Sequence, residues 1–86
     1  MPERVVIDLG CGSRKMPGAL GLDIARIPGV DIIADVTRPL PFRDNSVDEV
    51  YASHLVEHVD DLMGFMGEIW RVCKPDALVH FRFPHA

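Results

Sequence analysis

Val5-Val6-Ile7-Asp8-Leu9-Gly10-Cys11-Gly12-Ser13 begins as an apolar, β-branched run and stops at a Gly-x-Gly turn. Such a run reads as a buried parallel strand. The glycines let the backbone adopt φ > 0 and let a ligand approach the main chain with no Cβ in the way. Asp8 interrupts the apolar pattern. Left unpaired in a core, its carboxylate would cost ~3 kcal/mol or more, so it needs donors from loop N–H groups or from a ligand. A strand feeding a glycine turn is where open α/β sheets bind nucleotide-like cofactors.

The rest of the chain is consistent with one such unit. Its 86 residues are enough for one small domain, residues 1–86, and too few for two. With 48% hydrophobic and 26% charged residues, it has the composition of a globular protein. A net charge of −4 gives no basic nucleic-acid footprint. Cys11 and Cys73 form neither a disulfide framework nor a Cys-x-x-Cys motif, which suits a reducing compartment. Met1-Pro2-Glu3-Arg4 has no apolar signal region, and no stretch approaches the roughly 18 apolar residues of a membrane span. The expected location is cytoplasmic, with no membrane partner.

Four apolar runs read as strands: Val5–Leu9, Leu20–Asp23, Asp31–Ala34 and Val47–Ala52. A fifth, Ala77–Phe83, alternates, with Ala77, Val79, Phe81 and Phe83 on one side and Leu78, His80 and Arg82 on the other. Between the last two, Leu62, Phe65, Met66, Ile69, Val72 and Cys73 recur at three- and four-residue spacing, one face of a helix. Asp60 and Asp61 suit its N-terminus, and Pro75 ends it at about Lys74. Gly64 and Gly67 weaken it by ~1 kcal/mol each relative to Ala unless a close packing partner uses the gap. Trp70 borders the apolar face and is expected to pack under the sheet. Arg38, Arg43, Arg71 and Arg82 read as surface or strand-flanking charges. Residues 25–29 form a turn, and residues 37–46 a loop punctuated by prolines and Asp44-Asn45-Ser46.

Each of the first three runs has an aspartate at or near its carboxyl end: Asp8, Asp23 and Asp35. In a parallel sheet those ends share one edge, beside the binding crevice. Carboxylates accept hydrogen bonds, so this edge suits a ribose diol, an exocyclic amine or an α-ammonium and repels a pyrophosphate. A dinucleotide site would need Gly-x-Gly-x-x-Gly running into a helix. Here residue 15 is Lys, and Pro17, Gly18 and Gly21 break any helix after the turn. Arg14 and Lys15 read as a solvated loop tip.

In these residues the chain resembles the class I S-adenosylmethionine-dependent methyltransferases, in particular their small-molecule-type branch. The matching stretches are Asp8-Leu9-Gly10-Cys11-Gly12, Gly21-Leu22-Asp23, Ala34-Asp35 with Leu40-Pro41-Phe42, Asn45-Ser46-Val47-Asp48, His54-Leu55-Val56-Glu57-His58 and Glu68–Pro75. The glycine turn alone is a weak signal; the ordered series is a strong one. The resemblance implies a Rossmann-like parallel α/β sheet and S-adenosyl-L-methionine as cofactor. It puts Asp8, Gly10, Cys11 and Gly12 beside the methionine part and Asp23 on the ribose hydroxyls. It puts Ile24 beside the adenine, Asp35 on the adenine amine and Val36 at the same ring through its backbone. Ser53 and His54 would lie near the reacting methyl, His54 being the catalytic candidate.

Two departures from the family accompany these matches. Only Ser13–Ala19 separates the first two strands where the family has a full helix, so a tight loop or a single helical turn is expected. The family sheet has seven strands, and this chain runs out after the fifth. It therefore reads as the cofactor-binding portion of a longer enzyme. Alternatively, a second copy of the chain covers an exposed sheet face or edge as a homodimer.

Methyl transfer from a sulfonium asks the protein mainly for orientation and desolvation, with a base for some acceptors. His54, Glu57 and His58 are the residues that could supply one. The same stretch spells His-x-x-Glu-His, the inverted zinc-peptidase motif. That motif needs one continuous helix and a further ligand, and His80 is a thin candidate for it, so no metal site is expected. The competing readings are a non-catalytic cofactor-binding or interaction module and a nicotinamide-dinucleotide domain. The methyl acceptor, small molecule or otherwise, is not encoded legibly.

Overall fold

The computed structural model describes residues 4–53 and 60–82. Five strands, β1 (Val6–Leu9), β2 (Leu20–Asp23), β3 (Ile32–Ile33), β4 (Val47–Ser53) and β5 (Cys73–Arg82), form one sheet in the order β3-β2-β1-β4-β5. Every pairing is parallel. The order reverses direction between β1 and β4, the switch point at which open α/β sheets form their crevice. This is the Rossmann-like parallel sheet that the resemblance implies, built from the strands that the apolar runs predict.

α1 (Leu62–Val72), the one helix among the described residues, lies between β4 and β5 in the chain. Asp61 caps it, accepting from the Gly64 N–H at 2.9 Å. Phe65, Ile69 and Val72 are buried and meet Ile7, Leu9, Leu22, Val50 and Ala52 in one core. The strand register puts Ile7 beside Val50 and Leu9 beside Ala52, so alternate residues of each strand supply this face. Ala77 and Phe81 pack against the same core, as the alternation of the fifth run requires.

The opposite face is polar. Asp8 stands beside Tyr51, and Tyr51 beside His80. The two rings stack with centroids 4.5 Å apart. Glu49 collects the Arg4 guanidinium at 2.8 Å, the Tyr51 hydroxyl at 2.9 Å and His80 Nε2 at 2.7 Å. Arg4 first, then His80 and Tyr51, hold the Glu49 carboxyl down to about 2 from an ordinary 4.5. A carboxyl depressed in the folded state stabilises fully above its unfolded pKa and loses that contribution as pH falls through the folded one. Thermal melts are therefore expected to drop between about pH 5 and pH 2, less steeply for Glu49→Gln. An identical slope for the variant would remove Glu49 from the acid transition.

β3 is shorter than expected, Ile32–Ile33 within the run Asp31–Ala34, and four further differences from the sequence expectations concern α1 and β5. The helix ends at Val72 rather than near Lys74, because Cys73 is already extended (φ −75°, ψ 141°) and pairs with Val47. The last strand accordingly starts at Cys73 instead of Ala77. It accommodates Pro75, which has no N–H, through a register shift opposite Val47–Glu49 on an edge strand. Trp70 is 82% exposed and does not pack under the sheet. It follows Ile69 by one position, which turns it about 100° off the buried stripe. It borders a groove of about 720 Å³ between α1 and β5, with Met63, Met66, Val79 and Phe81.

Arg71 is the fourth difference and the largest. It is an anchor, not a surface charge. Its guanidinium binds Glu68 (2.8 and 2.9 Å), Asp44 (2.8 Å) and the carbonyls of Leu40 and Phe42 (both 3.0 Å). Glu68 in turn accepts the Leu40 N–H at 2.7 Å. Pro39 and Pro41 remove two N–H donors from this loop, so its carbonyls need donors from elsewhere, and α1 provides them.

Candidate functional site

Neither the β1–β2 crossover (residues 10–19) nor the β2–β3 crossover (residues 24–31) contains a helix; both lie wholly within the described residues. Carboxylates do the organising instead. Gly10 and Gly12 adopt φ of 67° and 58°, left-handed values that glycine takes without strain. The Gly10 N–H donates to Leu22 O at 2.8 Å and the Gly12 N–H to Asp23 Oδ2 at 2.8 Å. Asp23 Oδ1 also accepts the Ala25 N–H at 3.1 Å. One aspartate at the end of β2 thus fixes the turns after both β1 and β2.

Asp8 obtains the donor that its position demanded. Its Oδ2 accepts the Met16 N–H at 2.9 Å, while Oδ1 is buried and, among the described residues, unpaired. Burial pushes its carboxyl up; Met16 and the charge of Arg82 oppose this. Asp8 is only 3% exposed, beneath the loop it holds. Burial, then the charges of Asp8 and Asp23, also raise the Cys11 thiol, so it stays protonated at neutral pH.

Gly10, Asp23, Ile24, Ala34, Asp35, Val36 and Thr37 line one cavity of about 150 Å³ at the carboxyl edge of β1, β2 and β3. Ile24 is 70% exposed beside it. Asp35 Oδ1 accepts both the Thr37 hydroxyl (2.5 Å) and the Thr37 N–H (3.0 Å). Thr37, hydroxyl first, and then Arg38 hold the Asp35 carboxyl below its ordinary range. Five residues singled out from the sequence (Gly10, Asp23, Ile24, Asp35 and Val36) therefore meet around one space. Asp8, Cys11 and Gly12 are not among its lining residues; Cys11 and Gly12 belong to the glycine turn, and Asp8 holds the same crossover at Met16. Ser53 closes β4. His54, Glu57 and His58 lie outside the described residues.

The sequence reading missed Thr37, whose signal was the Asp-x-Thr spacing of an Asx-type turn. It also misjudged Lys15, which is not a solvated tip. Its ammonium sits 2.6 Å from Asp31 Oδ2. His80, the thin metal-ligand candidate, is engaged by Glu49 and Tyr51. No cluster of three metal-ligating side chains occurs among the described residues.

Residues 7–81 match the family described as "Methyltransferase domain". The chain belongs to this methyltransferase family. Cycloartenol-C-24-methyltransferase 1 of Oryza sativa subsp. japonica is 37% identical over 59 residues, 64% of this chain and 17% of that protein. Cycloartenol-C-24-methyltransferase of Arabidopsis thaliana is 40% identical over 60 residues, again 64% of this chain and 18% of the relative. The chain thus spans less than a fifth of these curated relatives. Among solved structures, a chain from the complex between the Haloferax volcanii Trm112 methyltransferase activator and a protein assigned as a methyltransferase superposes with a TM-score of 0.67. The identity is 26%, over 90% of this chain and 44% of that one. No helix among the described residues is long and apolar enough to cross a membrane.

Two carboxylates and the apolar Ile24, Ala34 and Val36 line the cavity, and neither Lys nor Arg is among its lining residues. Such an acceptor-rich, partly apolar lining suits a ligand that carries hydroxyl or amine donors and a flat ring, as the nucleoside of S-adenosyl-L-methionine does. The cavity's volume is half or less of the ~300 Å³ at which small-molecule sites begin. It has room for one ring system.

Proposed function

We propose that this chain binds S-adenosyl-L-methionine at the Asp23–Asp35 cavity and serves methyl transfer to an acceptor as the cofactor-binding portion of the enzyme. The observation that carries this is the pair of carboxylates from successive strand ends framing one cavity with neither Lys nor Arg in its lining; the nearest cation on the pair, Arg38, stands 3.7 Å from Asp35 Oδ2. A ligand there must donate hydrogen bonds, which a ribose diol and an adenine amine do and a pyrophosphate does not.

Asp23 would accept from the ribose hydroxyls. Each of its oxygens already holds one N–H, and a carboxylate offers about four lone-pair sites, so acceptor capacity remains. Asp35 Oδ2, which Thr37 does not engage and Arg38 approaches only to 3.7 Å, would accept from the adenine amine. Ile24 would cover one side of the ring, and Val36 would offer its backbone. Gly10, Cys11 and Gly12 would run beside the methionine segment, held in place by Asp8 through Met16 and by Asp23. Ser53, at the end of β4, and His54, the next residue in sequence, would face the reacting side.

Bound in this way, the cofactor supplies a methyl group on a sulfonium, with a neutral thioether as leaving group. The chain's part is to orient that methyl, exclude water around it and hold the nucleoside still, a contribution of proximity and alignment. His54 would act as base only where the acceptor must lose a proton.

Calorimetric titration with S-adenosylhomocysteine, with NADH in parallel, tests the assignment. We expect S-adenosylhomocysteine to bind at least ~10-fold more tightly, about 1.4 kcal/mol. A folded chain that bound neither would point to a non-catalytic interaction module. Tighter NADH binding would point to a dinucleotide domain.

A further inference from the structure

The β1–β2 crossover has to arch over the polar sheet face without a helix to stiffen it. One side chain spans the gap. Lys15 leaves the crossover, lays its stem over Gly21 of β2 and sets its ammonium on Asp31, just ahead of β3. A β-carbon on Gly21 would lie 3.2 Å from Lys15 Cδ, which measures how closely the stem crosses that strand. The ammonium is 2.6 Å from Asp31 Oδ2. The same oxygen accepts the Gly21 N–H at 2.8 Å, and the Asp31 N–H donates back to Gly21 O at 2.9 Å. Asp31 is therefore a fixed post, tied to β2 by main-chain and side-chain bonds. The Lys15 and Asp31 side chains are 31% and 37% exposed, so the pair is only partly screened by water.

We infer that Lys15 is a positioning residue for the glycine turn, clasping the helix-free crossover to Asp31 so that Gly10–Gly12 keep the backbone conformation the ligand meets. The residue next to Lys15 is Met16, whose N–H Asp8 holds. Three residues before Lys15 is Gly12, whose N–H Asp23 holds. Releasing the clasp frees the arch between these two bonds, and both amides open more often. The Lys15 ammonium is engaged by Asp31. Its effect on affinity rests on the cofactor assignment above; its effect on the free loop does not.

Amide hydrogen exchange on the full ligand-free chain reads the clasp directly. Lys15→Met keeps the stem and removes the ammonium; Lys15→Arg restores a long cation. In Lys15→Met, exchange at Gly12 and Met16 is expected to accelerate ~5-fold, the upper end for a partly exposed ion pair. Amides of Leu9 and Val50 should not change, and Lys15→Arg should return the loop rates to those of the native chain. Loop rates within twofold of native, or equal acceleration in the core strands, would overturn the inference. S-adenosylhomocysteine affinity of Lys15→Met should fall by a similar ~5-fold. Unchanged affinity despite faster loop exchange would also overturn it. Failure of the native chain itself to bind would count against the cofactor assignment, and loop exchange alone would then decide the clasp.

Discussion

Replacing Asp23 with alanine is expected to weaken S-adenosylhomocysteine binding by ~10-fold or more, about 1.4 kcal/mol. Two losses combine. The ribose hydroxyls lose their acceptor, and the Gly12 and Ala25 N–H groups lose the oxygens that hold them at 2.8 and 3.1 Å. An amide donor stripped of its partner costs ~1–3 kcal/mol when water cannot replace it, so the glycine turn also loosens. Asp23→Asn separates the two contributions. Its one remaining carbonyl oxygen can hold a single N–H, and the charge is gone, so an intermediate loss is expected. Thermal melts run beside the titrations establish that both variants are folded. If folded Asp23→Ala bound within twofold of the native chain, the ribose assignment would be wrong.

The second large effect is steric. Gly21→Ala should destabilise the chain by ~1–3 kcal/mol, the usual range for overpacking. A β-carbon there would come within 2.7 Å of Cys11 Sγ and 2.7 Å of the Gly29 carbonyl oxygen. Cys11 can rotate away, but Gly29 O is main chain and moves only if the β2–β3 crossover moves. Gly21 does not need glycine for its own backbone, because its φ is not positive. It needs the empty space. Urea unfolding measures the change, and adding Cys11→Ala should recover only part of it. A loss under ~0.5 kcal/mol would mean that the crossovers yield more readily than their hydrogen bonds suggest.

Much of this fold could be read in the residues, for identifiable reasons. Strands β1, β2 and β4 are apolar runs bounded by turn residues, and α1 repeats Phe65, Ile69 and Val72 at helical spacing, so burial decides them. The site was legible where a strand end carries a carboxylate, because topology alone brings Asp23 and Asp35 to one edge. What escaped the sequence depends on how loops meet in space. Lys15 and Asp31 belong to different crossovers, and nothing local pairs them. Arg71 looks like any helix surface charge until the Pro39–Pro41 loop lies against it. Trp70 sits one position from the buried stripe, and a large aromatic there reads as core until the helix phase is fixed. The junction of α1 and β5 was equally illegible: Pro75 predicts a helix stop, yet pairing with β4 begins at Cys73 first.

The short crossovers also divide the chain into near and distant partners. Ile7 pairs with Leu20 and Leu22 with Ile32, whereas Val6 pairs with Glu49. Closing the last of these loops costs about 1 kcal/mol more entropy than closing the first. The seam between β1 and β4 is therefore the long-range junction of the molecule, joining β1–β3 to the β4–α1–β5 unit. Every residue lining the Asp23–Asp35 cavity belongs to the first of these halves, while Ser53 belongs to the second. In the proposed assignment, the residues that would recognise the cofactor and the residue that would face its methyl fall on opposite sides of this seam. One apolar core spans it, so a change that loosens the seam would act on both at once.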